Sequence, residues 1–299
     1  MRESVTIVDV TLRDGLQDQP TVVSTSNKVE IAGLLANAGF HAMEITSFVR
    51  PEWVPQLADA EALLDRFKGG QGLERHALVP NQRGLDRALR TDVECVAFVV
   101  SASTLHNQHN LNRTTAESLR QIRSMADEAL RSGRTVHGGI ATSFGCSIQG
   151  EVTEDEVVRV LEAYLDAGVQ HVHLADTVGM ATPESFERIL IAALQCAGGP
   201  QRLGIHLHDP GKGVGPLIDI ALDAGIRSFD AAIGGLGGCP FAPGAPGNCK
   251  VEALVPQIEG RGFDTKIDVP AIPRIALSIG LALGHGAPAP RRQTEQAAS

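Results

Sequence analysis

Two imidazoles at strand spacing mark the stretch of this chain best suited to chemistry. Gly204-Ile205-His206-Leu207-His208-Asp209 reads as a short apolar strand with histidine at i and i+2. Alternate side chains on a strand share a face, so His206 and His208 project together, roughly 6 to 7 Å apart along the backbone. Nitrogens at that separation can hold one divalent cation from adjacent corners. Asp209 follows, where a carboxylate can accept from an imidazole N–H and fix its tautomer. On spacing alone, two unrelated histidines, one of them satisfied in a core, remain a serious rival. Oxygen donors elsewhere in the chain tip the balance. Asp14, His206, His208 and the amide oxygen of Asn248 make a mixed nitrogen and oxygen set that suits Mg2+ or Mn2+ and also accommodates Zn2+ or Co2+. Taken singly, Asp14 reads equally well as an ion pair with Arg13 or a turn cap, and Asn248 as a helix N-cap. Their joint placement at strand ends favours the metal.

Other residues at strand ends could serve the same site. Arg13 places a fixed cation beside the proposed metal, suited to an oxyanion that grows during reaction. Cys239 sits in Gly234-Gly235-Leu236-Gly237-Gly238-Cys239-Pro240, a glycine-rich loop able to fold over a substrate, where a thiol could deliver or remove a proton at carbon. Glu44 and Asp176 read either as acid/base groups or as residues that orient the others. Cys146 reads as a buried structural thiol. His76, His137, His171 and His173 also read as structural, although His171 and His173 repeat the H-x-H spacing, because no carboxylate follows them on the same side.

The elements that must position these residues recur as a unit: an amphipathic helix, a glycine past its last turn, then a short β-branched strand. Gly39, Gly133, Gly168 and Gly225 occupy that glycine position, where the left-handed cap conformation carries no Cβ penalty. Eight strands follow from the pattern, over 5–10, 41–45, 74–79, 94–100, 135–140, 171–175, 203–208 and 228–233. Helical patterns such as 26–38, 54–67 and 153–167 separate them. Alternation at this spacing implies parallel pairing with right-handed crossovers, and eight units imply a closed (β/α)8 TIM barrel whose active groups sit at the C-terminal strand ends. An open doubly wound sheet is the rival, but no Gly-x-Gly-x-x-Gly turn follows the first strand. Further helical pattern at 249–259 and 270–283 exceeds the barrel. The expected organisation is one domain over 1–285, with an active-site loop at 234–248 and a disordered tail at 286–299.

Composition narrows the functional classes. The 299 residues are 43% hydrophobic and carry a formal net charge of −9, with no basic cluster except Arg291-Arg292. That argues against nucleic acid and anionic membranes as partners. No run of about 18 apolar residues offers a spanning helix. The N-terminus runs almost directly into a strand, leaving no room for a signal or transit peptide. Five widely spaced cysteines without a C-x-x-C pair fit an intracellular chain with mostly buried thiols. The expected location is the cytoplasm.

Several of these motifs resemble a known family. Val8-Asp9-Val10-Thr11-Leu12-Arg13-Asp14-Gly15-Leu16-Gln17 is similar to the first-strand signature of metal-dependent TIM-barrel carbon–carbon lyases and synthases (the DRE-TIM type). Glu44-Ile45-Thr46-Ser47-Phe48-Val49, Asp176-Thr177-Val178-Gly179, His206-Leu207-His208-Asp209 and the glycine loop with Cys239, Gly247 and Asn248 resemble the hydroxymethylglutaryl-CoA lyase family specifically. The likeness runs from about Val5 to Gly262. It implies retro-Claisen cleavage of a 3-hydroxyacyl-CoA, with the divalent metal on Asp14, His206, His208 and Asn248. By the same resemblance His206 or Asp14 takes the hydroxyl proton, Arg13 stabilises the enolate oxygen, Cys239 helps protonate the carbon, and Glu44 and Asp176 orient the set. A homodimer is a further expectation. The chain departs from the family at Asp209-Pro210-Gly211-Lys212-Gly213, at Asp18-Gln19-Pro20 and at Cys146-Ser147-Ile148-Gln149. These changes fall in loops that would touch the acyl group or CoA. The expected substrate is 3-hydroxy-3-methylglutaryl-CoA; citramalyl-CoA or a glutaryl-CoA with a longer branch at C3 is the near alternative. A condensing synthase is more distant because the cysteine loop speaks against it. A non-catalytic barrel would have lost a metal ligand or Arg13, and none is lost.

Overall fold

The computed structural model describes residues 2–238 and 246–284. Eight strands form the centre: β1 (Thr6–Asp9), β2 (Ala42–Ser47), β3 (Glu74–Leu78), β4 (Cys95–Ser101), β5 (Thr135–Ala141), β6 (His171–Asp176), β7 (Leu203–Asp209) and β8 (Ser228–Ala231). Each pairs in parallel with the next, and β8 pairs with β1, Thr6 opposite Ser228, closing a TIM barrel. Around it run α1 (Thr25–Asn37), α2 (Ala60–Arg66), α3 (Gln82–Ala88), α4 (Thr104–Leu111), α5 (Thr115–Arg131), α6 (Glu154–Asp166), α7 (Pro183–Ala197) and α8 (Gly215–Asp223). The extra C-terminal helices α9 (Val251–Gly260) and α10 (Ile272–Ala282) follow. A two-residue strand, β9 (Gly247–Asn248), lies antiparallel on β7.

The main apolar core lies between barrel and helices. Outward-facing Val136, Val172 and Leu174 are buried against a layer that includes Val157, Leu161 and Leu190; each such side chain contributes about 1.5–3 kcal/mol of burial. Thr114 and Thr153 start α5 and α6 with reciprocal capping boxes to Glu117 and Glu156. The glycine after α1 is required by more than its conformation. Gly39 has φ +94°, and a Cβ there would meet the Lys266 carbonyl oxygen at 2.1 Å.

The barrel interior departs from the branched aliphatic filling usual in this architecture. Period-two alternation points His76, His137, His171, His173, His206 and His208 inward. Ring centroids run 4.8 Å from His76 to His137, 5.5 Å on to His171, and 4.9 Å on to His173. Gly204 on β7 leaves room for this packing, since a Cβ there would sit 2.4 Å from the His173 ring. The sequence reading left His173 without a carboxylate, and the structure corrects it: Asp230 on β8 brings Oδ1 to 2.8 Å from His173 Nδ1. That carboxylate is remote in sequence and adjacent only because the barrel closes.

Two helical expectations also change. The segment expected as one helix over 54–67 is a 3-10 turn at Pro55–Leu57 followed by α2. Asp59, between them, is drawn off to Lys28 Nζ at 2.5 Å and Thr25 Oγ1 at 2.7 Å, so α1 fixes the break. The segment expected over 270–283 is likewise a 3-10 turn, Val269–Ala271, leading into α10. The tail expected at 286–299 lies outside the described residues.

Candidate active site

At the C-terminal end of β1 the chain enters a five-residue π-helical turn, Thr11–Gly15. Such turns re-aim side chains and recur at functional sites. The turn is braced from below: the Asp9 carboxylate accepts from the Thr11 backbone N–H at 3.1 Å and its hydroxyl at 2.8 Å. The Thr11 hydroxyl in turn accepts from the Ile233 N–H at 2.9 Å. Arg13 and Asp14 therefore leave β1 in a fixed direction. Arg13 donates from Nη1 to Asp14 Oδ1 at 2.5 Å and from Nε to Glu44 Oε2 at 2.7 Å, with Nη2 on the same Glu44 oxygen. Gln17 Nε2 adds a bond to Asp14 Oδ1 at 3.0 Å. Burial presses Asp14 toward its neutral form, but Arg13 and the two histidines outweigh it and its pKa is lowered. The site thus holds an anionic Asp14.

His206 and His208 stand on β7 with their Nε2 atoms 2.9 Å apart. His208 Nδ1 lies 2.8 Å from the Pro246 carbonyl oxygen, and His206 Nδ1 lies 2.9 Å from Asp230 Oδ2. Both of those acceptors require a proton on Nδ1, so both Nε2 atoms present lone pairs to one another. Two lone pairs at that distance call for a proton or a cation between them. Asp14 Oδ2 lies 3.9 Å from His208 Nε2, and ligating atoms of Asp14, His206 and His208 all fall within 4.8 Å of one another.

Asn248 completes the set. β9 holds it opposite His208, where its Nδ2 donates to Asp14 Oδ2 and to the Leu236 carbonyl, each at 2.7 Å. The amide orientation is thereby set, and Oδ1 is left buried with no hydrogen-bond partner. An orphaned buried acceptor beside two facing imidazole lone pairs and a carboxylate fits a divalent cation. Gly237 makes this packing possible: with φ +119°, its Cβ would come within 2.2 Å of Asn248 Nδ2. Among the described residues, the glycine stretch therefore has a packing role that flexibility alone does not capture.

Proton affinities differ sharply within the set. Burial lowers His208 to about 4, helped by the neighbouring charge on His206. Burial also disfavours charge on His206, yet the Asp230 carboxylate prevails and its pKa is raised.

Asp14, His206, His208, Asn248, Arg13 and Glu44 thus lie together at the C-terminal mouth of the barrel. Asp176 ends β6 with both oxygens occupied by its own loop, accepting from the Met180 N–H at 2.9 Å and the Ala181 N–H at 3.0 Å. Burial raises its pKa despite those bonds. Cys239 lies outside the described residues. Cys146 is buried, its sulfur accepting from the Ile148 and Gln149 N–H groups at 3.4 and 3.3 Å. Asp209 does not orient a histidine. Its Oδ1 accepts from the Gly211 and Gly213 N–H groups at 2.8 and 2.9 Å, because the chain turns away at Pro210. Asp230 takes that role. Alternation along Ser228-Phe229-Asp230 did carry the signal, since it points Asp230 inward; the Pro246 carbonyl left no signal at all. Asn248 sits in a strand, and the N-cap of α9 is Lys250.

Comparison with known proteins is consistent along nearly the whole chain. A family model described as HMGL-like matches residues 4–279. The hydroxymethylglutaryl-CoA lyase YngG of Bacillus subtilis is 37% identical over 266 residues, covering 89% of this chain and 88% of that protein. The (R)-citramalyl-CoA lyase of Chloroflexus aurantiacus is 40% identical over 301 residues, covering 96% and 93%. Among solved structures, an HMG-CoA lyase from Acinetobacter baumannii in complex with coenzyme A and 3-methylmalate superposes with a TM-score of 0.89 at 35% identity, covering 99% of this chain and 98% of that one.

Proposed function

The chain belongs to the HMGL-like family of carbon–carbon lyases, and we propose that it cleaves 3-hydroxy-3-methylglutaryl-CoA to acetyl-CoA and acetoacetate by a retro-Claisen reaction. The observation that carries this reading is the convergence of Asp14, His206, His208 and the unpaired Asn248 oxygen beside the partly buried Arg13 guanidinium. These four residues would hold the divalent metal on which the family depends, Mg2+ or Mn2+ by its ligand chemistry. When bound, the cation lowers the pKa of the substrate's tertiary hydroxyl.

The remaining work falls to side chains. Asp14, held anionic beside Arg13, accepts the hydroxyl proton, while Asp230 on the far nitrogen of His206 fixes that ring with its other nitrogen toward the cation position. As the C2–C3 bond breaks, its electron pair passes to C2 and the C3–O bond becomes the ketone of acetoacetate. Arg13 neutralises the enolate oxygen of the departing acetyl-CoA, held in place by Asp14 and Glu44. The Cys239 thiol delivers a proton to the enolate carbon, completing acetyl-CoA. Asp176 shapes the loop at the rim through its backbone bonds.

Citramalyl-CoA, cleaved to acetyl-CoA and pyruvate, is the second reading. It is favoured by the 40% identity to the (R)-citramalyl-CoA lyase and by the altered loops at Asp18-Gln19-Pro20 and Pro210-Gly211-Lys212. The test is acetyl-CoA release by the full chain with Mg2+ or Mn2+, from 3-hydroxy-3-methylglutaryl-CoA, citramalyl-CoA and longer C3-branched analogues. Preference for the first substrate supports the proposal, and preference for another moves the assignment to that acyl group. If none is cleaved while acetyl-CoA and a keto acid are condensed, the lyase reading is wrong.

A further inference from the structure

The opposite mouth of the barrel carries a second convergence of metal-binding atoms that the lyase reaction does not use. His76 on β3, Cys95 on β4 and His137 on β5 occupy three adjacent strands, with His76 opposite Cys95 in register and His137 opposite Ala97, two residues on. Their ligating atoms all lie within 4.8 Å of one another. A tetrahedral ion with bonds of about 2.0–2.3 Å holds its ligands about 3.5 Å apart, so side-chain torsions alone can close the set. Cys95 is fully buried and His76 nearly so.

Two further observations point to a ligand. Glu74 Oε2 lies 2.7 Å from His76 Nε2, while Glu74 Oε1 accepts from the Thr135 hydroxyl at 2.9 Å. An anchored carboxylate on one ring nitrogen is the arrangement that presents the other nitrogen to a metal. Nearby, His171 Nε2 is buried without a hydrogen-bond partner, in contact with the His137 ring. A cavity of about 510 Å3 opens onto the cluster and is lined by Glu74, His76, His137, His171 and His173, leaving room for a water as fourth ligand.

We propose that His76, Cys95 and His137 bind a Zn2+ ion at the N-terminal mouth, with a fourth position open to this cavity. Two imidazoles and a thiolate are the borderline-soft donors that zinc selects, whereas Mg2+ and Mn2+ prefer oxygen. Binding releases the Cys95 thiol proton to solvent. The inference stands apart from the proposed lyase reaction, since none of these residues belongs to that site.

Co2+ serves as the spectroscopic probe, added to the full chain after chelation. The wild type is expected to take up two Co2+ per chain and to show a thiolate-to-cobalt charge-transfer band. Cys95→Ser should lose that band and one equivalent of Co2+ while keeping Mg2+-dependent lyase turnover. His208→Ala, which disables the other mouth, should keep the band. His137→Gln preserves the thiol and should weaken Co2+ binding at least tenfold, which keeps the test decisive if Cys95→Ser fails to fold. A single Co2+ per chain, a band that survives Cys95→Ser, or a band lost in His208→Ala would overturn the proposal.

Discussion

The two mouths of this barrel are built from similar parts and finished differently. Each sets two imidazoles beside a carboxylate: His206 with His208 at one end, His76 with His137 at the other. At the C-terminal mouth, oxygen from Asp14 and Asn248 completes the set and Arg13 supplies a positive charge beside it. At the N-terminal mouth a thiol stands where the oxygens would be. The difference follows from where the extra groups come from. Asp14 and Asn248 arrive from a π-helical turn and a two-residue strand beyond the barrel proper, whereas every candidate ligand at the other end lies on a barrel strand. Loops at strand C-termini can be re-aimed without disturbing the sheet, so the oxygen donors gather there.

The comparison breaks most visibly at Arg13. Arg13→Lys keeps one charge but loses the fork that joins Asp14 and Glu44; steady-state kinetics should show kcat lowered about 10²–10³-fold, with Co2+ uptake at the N-terminal mouth unchanged. An unaltered kcat would remove Arg13 from the reaction. Asp230→Asn tests the carboxylate that holds His206, and Mn2+ affinity measured by calorimetry should fall about 10–100-fold. Because this residue also faces His173, the thiolate band provides the control: it should survive.

A pH titration sharpens the contrast at smaller cost to the protein. His206 has its pKa raised by Asp230, and a proton there competes with the metal. Mn2+ affinity at the C-terminal mouth should therefore weaken as pH falls through that raised value, tenfold per unit for one proton. His208, at about 4, adds a second proton only under more acid conditions. Affinity independent of pH between 5 and 8 would show that His206 is not a ligand. The smallest effect is expected from Thr153→Ala, which touches neither mouth. Loss of the α6 capping box should cost about 1 kcal/mol, read as a lower Tm with turnover intact.

How much of this was legible in the sequence divides along the same line. The strands were legible because period-two alternation and a glycine after each helix are local signals, and they also placed His206 and His208 on one face. β9 was not, since two residues carry no periodicity, so a helix cap stayed open as the rival reading of Asn248 beside the favoured metal-ligand one. The carboxylate expected to accept from one of the two imidazoles was Asp209, their neighbour in sequence. Asp230, the neighbour of His206 in space, becomes available only once β7 and β8 pair. The break within 54–67 likewise depends on Lys28 and Thr25 reaching Asp59 from another helix. Local pattern fixed the elements, and closure of the barrel fixed the chemistry.

The most direct test is anomalous scattering from crystals of the full chain grown with saturating Mn2+. A single strong peak is expected at the C-terminal mouth, bonded by Asp14, His206, His208 and the Asn248 oxygen. A mouth without manganese density, or density from which Asn248 stands apart, would contradict the account.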